Sequence, residues 1–177
     1  NVRELIALAK SGNGLSFGSN ARYVKSNDGF GGTYLLAAPP AGSTELSRHF
    51  FGNDKSTEQF VIDANLAYET SFDDVDSRTL LGVEYNKFES DSDNFYALAP
   101  SIDLENPIYS GGPGPLSPYT STLNDQKTKA IYLQQDLTFF DRLTVSAGLR
   151  NDWLDLSETN QLAGTTHLLE NLLDAIR

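Results

Sequence analysis

The sequence predicts an all-β chain: an antiparallel meander of long hairpins, of the kind that builds a transmembrane β-barrel. About six or seven strands are expected at ~10 residues per span, with a short amphipathic helix at each terminus. Three observations predict this. The 177 residues include 10 Phe, 8 Tyr and one Trp beside 14 Gly, a composition suited to strands joined by polar loops. Only 39% of them are hydrophobic, low for a well-filled soluble core. Strands with one apolar and one polar face explain that deficit. The middle of the chain alternates apolar and polar residues with period two over long stretches.

At the N-terminus Val2, Leu5, Ile6 and Ala9 recur at helical spacing before Ser11-Gly12, which predicts a helix over 1–12. Leu15, Phe17, Ala21 and Tyr23 then alternate with Ser16, Gly18, Asn20 and Arg22, a strand over about 15–25. A Gly-rich stretch from Asp28 to Gly32 and a short apolar segment, Thr33 to Ala38, follow. Pro39-Pro40 breaks the pattern, and 44–51 can make another strand.

The clearest alternation lies over 57–71, with Phe60, Ile62, Ala64, Leu66 and Tyr68 on one face. Asp73, Asp74 and Asp76 make a tight turn. The chain returns over 77–90 with Thr79, Leu81, Val83 and Tyr85 expected beside them. A connection rich in Pro, Gly, Ser and Asp spans roughly Asp91 to Asp125, longer than the ~12–15 residues common for structureless loops. Strands over 127–139 and 143–155 flank a turn at Phe140-Asp141-Arg142. Leu168, Leu169, Leu172, Leu173 and Ile176, behind a cap at Thr165 or Thr166, predict a helix over 167–177. The organisation is therefore a helix at 1–12, a partial barrel over 13–166 and a helix at 167–177. Tight turns gather at one end of the strands and the long connection at the other.

A net charge of -11 argues against a nucleic-acid partner. Without Cys there is no disulfide framework, thiolate metal site or Cys nucleophile. No apolar run approaches the ~18 residues of a membrane helix. The chain starts at Asn1 and holds no Met, which reads as a processed chain, an excised segment or an engineered one. Gly14-Leu15-Ser16-Phe17-Gly18 matches a nucleophile elbow literally, but that motif needs a strand before it and a helix after it. His49 and His167 are too scattered for a His-based metal site. Asp91 and Asp93 begin like a calcium loop, yet Phe95 takes the next ligand position. Arg150 and Asp152 share the polar face and are expected to form lumen ion pairs.

Two hairpins carry a more specific signal. Tyr132-Leu133-Gln134-Gln135-Asp136, a short turn, and Val145 through Gly148-Leu149-Arg150-Asn151-Asp152-Trp153 resemble a barrel hairpin of TonB-dependent siderophore receptors. Thr79-Leu80-Leu81-Gly82-Val83-Glu84-Tyr85 resembles a return strand of the same family, without its extra spacer residue. Ala163-Gly164-Thr165-Thr166 resembles a segment that follows the Asp-Trp strand. The order is most similar to the ferrichrome and ferrioxamine type receptors, the hydroxamate branch, from about Leu15 to Thr166. The family's full barrel has about 22 strands. Its N-terminal plug and TonB-contacting segment are not visible here, so a truncated stretch of barrel is expected.

What the resemblance implies is transport without catalysis, in the outer membrane of a Gram-negative bacterium. The ligand would be a ferric hydroxamate siderophore, with no covalently bound cofactor. Further partners would be outer-membrane lipid and, through the plug, the TonB-ExbB-ExbD energy-transducing system. A hydroxamate siderophore holds Fe(III) in its own oxygen ligands, so the protein need supply only an aromatic pocket with polar anchors. The resemblance points to Phe95, Tyr96 and Tyr119 as ligand contacts, with Tyr109 a further candidate in the same connection. The alternative is a soluble or engineered β-rich chain built from barrel strands, closed by its terminal helices and without transport activity.

Overall fold

A computed structural model describes residues 1–109 and 111–176, with backbone alone over 169–176. Seven strands form one sheet in sequence order: β1 Val2–Lys10, β2 Leu15–Leu35, β3 Glu45–Phe72, β4 Val75–Asp103, β5 Ser117–Phe139, β6 Leu143–Asn160 and β7 Thr165–Ile176. Every neighbouring pair is antiparallel. β3 has 28 residues and β4 has 29, far more than the ~9–11 a bilayer-crossing strand requires.

The register separates two faces. On one, Leu66 lies beside Phe17 and Leu81, Ile62 beside Ala21 and Tyr85, and Phe60 beside Tyr23. The row continues from Leu81 to Leu133 and Leu149, and from Val83 to Ile131. Phe60, Ile62, Leu66 and Tyr68 thus share a face with the apolar residues of the next strand, as their alternation predicts. Over residues 60–68 a rise of ~3.3 Å per residue and a tilt of ~40° give a height of about 20 Å. Phe72 at the foot of β3 extends the band toward the ~25 Å typical of membrane barrels. From the Phe60 row upward the same face turns ionic across β4 and β5. Lys25 pairs with Glu58, Lys87 with Asp125 at 3.5 Å, and Lys127 with Asp125 at 3.1 Å.

The opposite face is polar through the membrane band, carrying Asn20, Asp63, Glu84 and Asp152 in one row. A single-layer sheet has little interior. Among the described residues the buried hydrophobics are Leu46, Ala67, Ala97, Ile102 and Ala130.

Short turns close one end. Gly14 has φ 84°, and a Cβ there would meet the Glu69 carbonyl oxygen at 2.0 Å, so the β1–β2 turn requires glycine. Asp73 takes φ 47° between β3 and β4, while Asp76 already belongs to β4. Phe140 and Asp141, at φ 53° and 55°, turn β5 into β6. The opposite end carries the 36–44 and 104–116 loops, but its third connection, 161–164, is short.

Three expectations need correction. The helices expected at 1–12 and 167–177 are strands. β1 pairs with β2 from Val2↔Val24 to Lys10↔Ser16, and β7 pairs with β6 from Asn160↔Thr165 to Leu149↔Ile176. Short apolar runs fit either period, and an available sheet edge decides by satisfying the backbone. Arg177 lies outside the described residues. The Asp91–Asp125 connection shrinks to 104–116, because Asp91 pairs with both Ser56 and Leu123, and its neighbours follow. The Gly-rich stretch is not a break either: β2 runs through it to Leu35. With both ends in the sheet, the alternative of a soluble sheet closed by terminal helices loses its closing elements.

Candidate ligand-binding site

Regular pairing carries the inner, polar-face parity up β2, β3 and β4 beyond the membrane band. On β3 it runs from Asp63 through Asn53 to Phe51 and His49, with no shift until Arg48. On β2 it reaches Phe30, Gly32 and Tyr34, and on β4 it reaches Asn94 and Tyr96. Alternation thus collects rings from three strands on one surface.

The rings touch in sequence. Tyr34 and His49 have centroids 5.9 Å apart, and His49 stacks on Tyr96 at 5.4 Å with 27° between planes. Phe30 meets Phe51 at 5.8 Å, and Phe51 meets Tyr119 at 6.3 Å. Tyr119 joins through an irregularity: Asn94 pairs with Thr120 but Phe95 with Pro118, leaving Tyr119 as the extra residue of a bulge. Such bulges re-aim a side chain. Tyr34 and Tyr96 remain 44% and 43% exposed, so the wall offers free aromatic surface rather than a filled core.

Below the rings lies a polar row. The Asn53 amide donates to Asn94 Oδ1 at 2.9 Å and to Ser92 Oγ at 3.0 Å. Asn94 Nδ2 donates to Thr120 Oγ1 at 2.7 Å. These bonds tie β3, β4 and β5 together directly under the wall and fix the ring spacing.

Deeper on the inner face sits a charged cluster around a cleft of about 530 Å³ lined by Asp63, Glu84, Tyr132, Arg150 and Asp152. The Arg150 guanidinium donates to Asp152 at 2.7 Å and to Glu84 at 3.3 Å, the ion pairs expected of Arg150 and Asp152. Tyr132 lies across Gly82, where a Cβ would come 2.1 Å from its ring, and its hydroxyl donates to Asp63 Oδ2 at 2.7 Å. Every charge there has a partner, so the cluster holds strands in place and leaves no free group for chemistry.

Of the sequence-derived candidates, Tyr96 and Tyr119 stand in the wall. Phe95 has the opposite parity and points away from it. Tyr109 lies in the 104–116 loop, 83% exposed, without a ring partner among the described residues. Sequence reasoning missed Phe30, Tyr34, His49 and Phe51. Their signal was the shared parity of Phe30-x-Gly32-x-Tyr34 and His49-x-Phe51 on two strands, legible only with the β2–β3 register known. Above the wall, Asp103 accepts the Glu105 amide at 2.8 Å, which holds its carboxyl below the ordinary aspartate range.

No group of His, Cys, Asp or Glu among the described residues could hold a metal ion. The wall can offer apolar contact, stacking and hydroxyl or imidazole hydrogen bonds.

Residues 6–173 match the family model described as TonB dependent receptor-like, beta-barrel. The ferrichrome outer membrane transporter/phage receptor of Escherichia coli K12 is 29% identical over 138 residues, 73% of this chain and 18% of that protein. The ferrioxamine B receptor of Salmonella typhimurium LT2 is 25% identical over 150 residues, covering 85% of this chain and 21% of the receptor. The ferrioxamine receptor of Yersinia enterocolitica is 29% identical over 161 residues, with 85% and 22% covered. The chain therefore spans about a fifth of the curated relatives it matches. The crystal structure of the ferric citrate transporter FecA in the unliganded form superposes with a TM-score of 0.68, covering 98% of this chain and 23% of that one. At 11% identity, this is a likeness of fold.

Proposed function

The chain belongs to the TonB-dependent receptor β-barrel family, an outer-membrane family of receptors and transporters, not enzymes. On that premise we propose that it contributes an aromatic lumen wall to a receptor that takes up a ferric hydroxamate siderophore of the ferrichrome or ferrioxamine class. The carrying observation is the wall itself: two rows of touching rings, Tyr34–His49–Tyr96 and Phe30–Phe51–Tyr119, side by side at the loop end of the inner face. Barrels of this kind have short periplasmic turns and long extracellular loops, which sets the wall on the extracellular side.

Mechanistically the protein binds and releases; it does not transform. The siderophore keeps its iron in hydroxamate oxygens, and the rings supply large apolar contact at low conformational cost. Energy for passage would come from the TonB-ExbB-ExbD system acting through a plug domain. Tyr96 and Tyr119 are proposed as direct contacts, with Phe95 and Tyr109 as outlying candidates. What supports the hydroxamate class is the named function of the relatives, a ferrichrome transporter and two ferrioxamine receptors.

The experiment is equilibrium titration of the intact receptor with ferrichrome and ferrioxamine B, followed by intrinsic fluorescence. Replacing Tyr96 and Tyr119 together with Ala should weaken binding by about 1–3 kcal/mol. Unchanged affinity for both ligands in a folded double variant would remove the wall from the site.

A further inference from the structure

His49 is the one imidazole set among the rings of the wall. It lies between Tyr34 and Tyr96, with centroids at 5.9 and 5.4 Å, so flanking rings on both sides hold its plane. Its Nδ1 is buried and has no hydrogen-bond partner among the described residues. Nε2 lies at the edge of the ring farthest from the backbone, where it is open to solvent rather than buried and unpartnered like Nδ1. A buried, unpartnered Nδ1 is a cost that an all-carbon ring at this position would not carry, which marks the imidazole as held there for what its other nitrogen can do.

We propose that His49 is a specificity-determining residue of the wall, whose Nε2–H donates a hydrogen bond to a hydroxamate oxygen of the ferric complex. The inference rests on the ferric-hydroxamate reading above and names the polar group that would direct it. Which imidazole nitrogen carries the proton is set by the bond the other makes, and nothing at Nδ1 holds a proton there. The oxygen shell of a ferric hydroxamate only accepts, so it recruits the Nε2–H form. Tyrosine hydroxyls on either side can rotate and serve as donor or acceptor. The stacked imidazole cannot swing away, and so fixes where an acceptor must lie. A ligand without an oxygen at that point leaves the N–H unpaired against apolar rings, and sites built this way discriminate strongly.

The test uses the intact receptor with wild-type His49, His49→Phe and His49→Gln, each first checked for the heat-modifiable gel mobility of a folded barrel. Phe keeps the aromatic stack and removes the donor; Gln keeps an N–H at similar reach and loses the stack. Binding of ferrioxamine B and ferrichrome is read by fluorescence quenching. His49→Phe should weaken at least one of the two by about tenfold or more, with His49→Gln staying within about threefold of wild type for that ligand. His49→Phe binding both within about threefold of wild type would overturn the proposal, as would His49→Gln as weak as His49→Phe. Wild-type receptor that binds neither ligand overturns the ferric-hydroxamate reading and this inference together. Tight wild-type binding with an insensitive His49 overturns this inference alone.

Discussion

Placing a charge on the outer face tests whether that face meets lipid. Val83 pairs with Ala64, midway between the Tyr68 and Phe60 rows, and its side chain is 52% exposed. It lies about 10 Å below the Phe60 row at ~3.3 Å rise and ~40° tilt, close to the middle of the band. An arginine there cannot easily reach water or headgroups. Val83→Arg should therefore cost about 2–4 kcal/mol, and Phe60→Arg, at the band's upper edge, about 0–1 kcal/mol. Thr128→Arg, on the inner face beside Asn86, should cost less than about 1 kcal/mol, because it meets the lumen. The assay is urea unfolding of the intact receptor in vesicles of one lipid composition, followed by tryptophan fluorescence, with all three variants compared at equal denaturant slope. Equal costs at the three positions would refute the assignment of this face to lipid.

Gly82→Val should push the Tyr132 ring off its seat and break its bond to Asp63, destabilising the barrel by about 1–3 kcal/mol in the same unfolding assay. Asp103 has a depressed folded-state pKa, so its contribution is present above the unfolded value of about 3.9 and lost as pH falls through the folded one. Amide exchange at Glu105 should accordingly quicken as pH drops below about 4 relative to neighbouring amides. In Asp103→Asn it should be fast at neutral pH already. The isolated 177-residue chain, with unpaired outer edges on β1 and β7, should aggregate without detergent, as sizing chromatography would report.

The hairpins around Asp73 and Phe140 were legible because, within the bilayer, the two faces of a strand meet different solvents. That difference writes a strict alternation: Phe60, Ile62, Leu66 and Tyr68 outward, Asp63 and Asn65 inward. Above the band both faces meet water, and the constraint vanishes. Residues 91–103 and 117–125 then look like a polar loop, although pairing on both sides makes them strand. The termini misled for the converse reason. In β1 both Leu5 and Ile6 are apolar, so the run satisfies a helical stripe as well as a strand at a sheet edge. Within the site, the resemblance supplied Tyr96 and Tyr119. Tyr34, His49, Phe30 and Phe51 depend on the β2–β3 register through a Gly-rich segment that carries no alternation of its own.

The most direct measurement is a structure of the intact receptor bound to a ferric trihydroxamate, ferrioxamine B or ferrichrome. The siderophore should lie against the extracellular end of the inner face, within about 4 Å of the Tyr34, His49 and Tyr96 rings, with His49 Nε2 at hydrogen-bond distance from a ligand oxygen. A bound siderophore that touches none of Tyr34, His49, Phe51, Tyr96 and Tyr119 would contradict it.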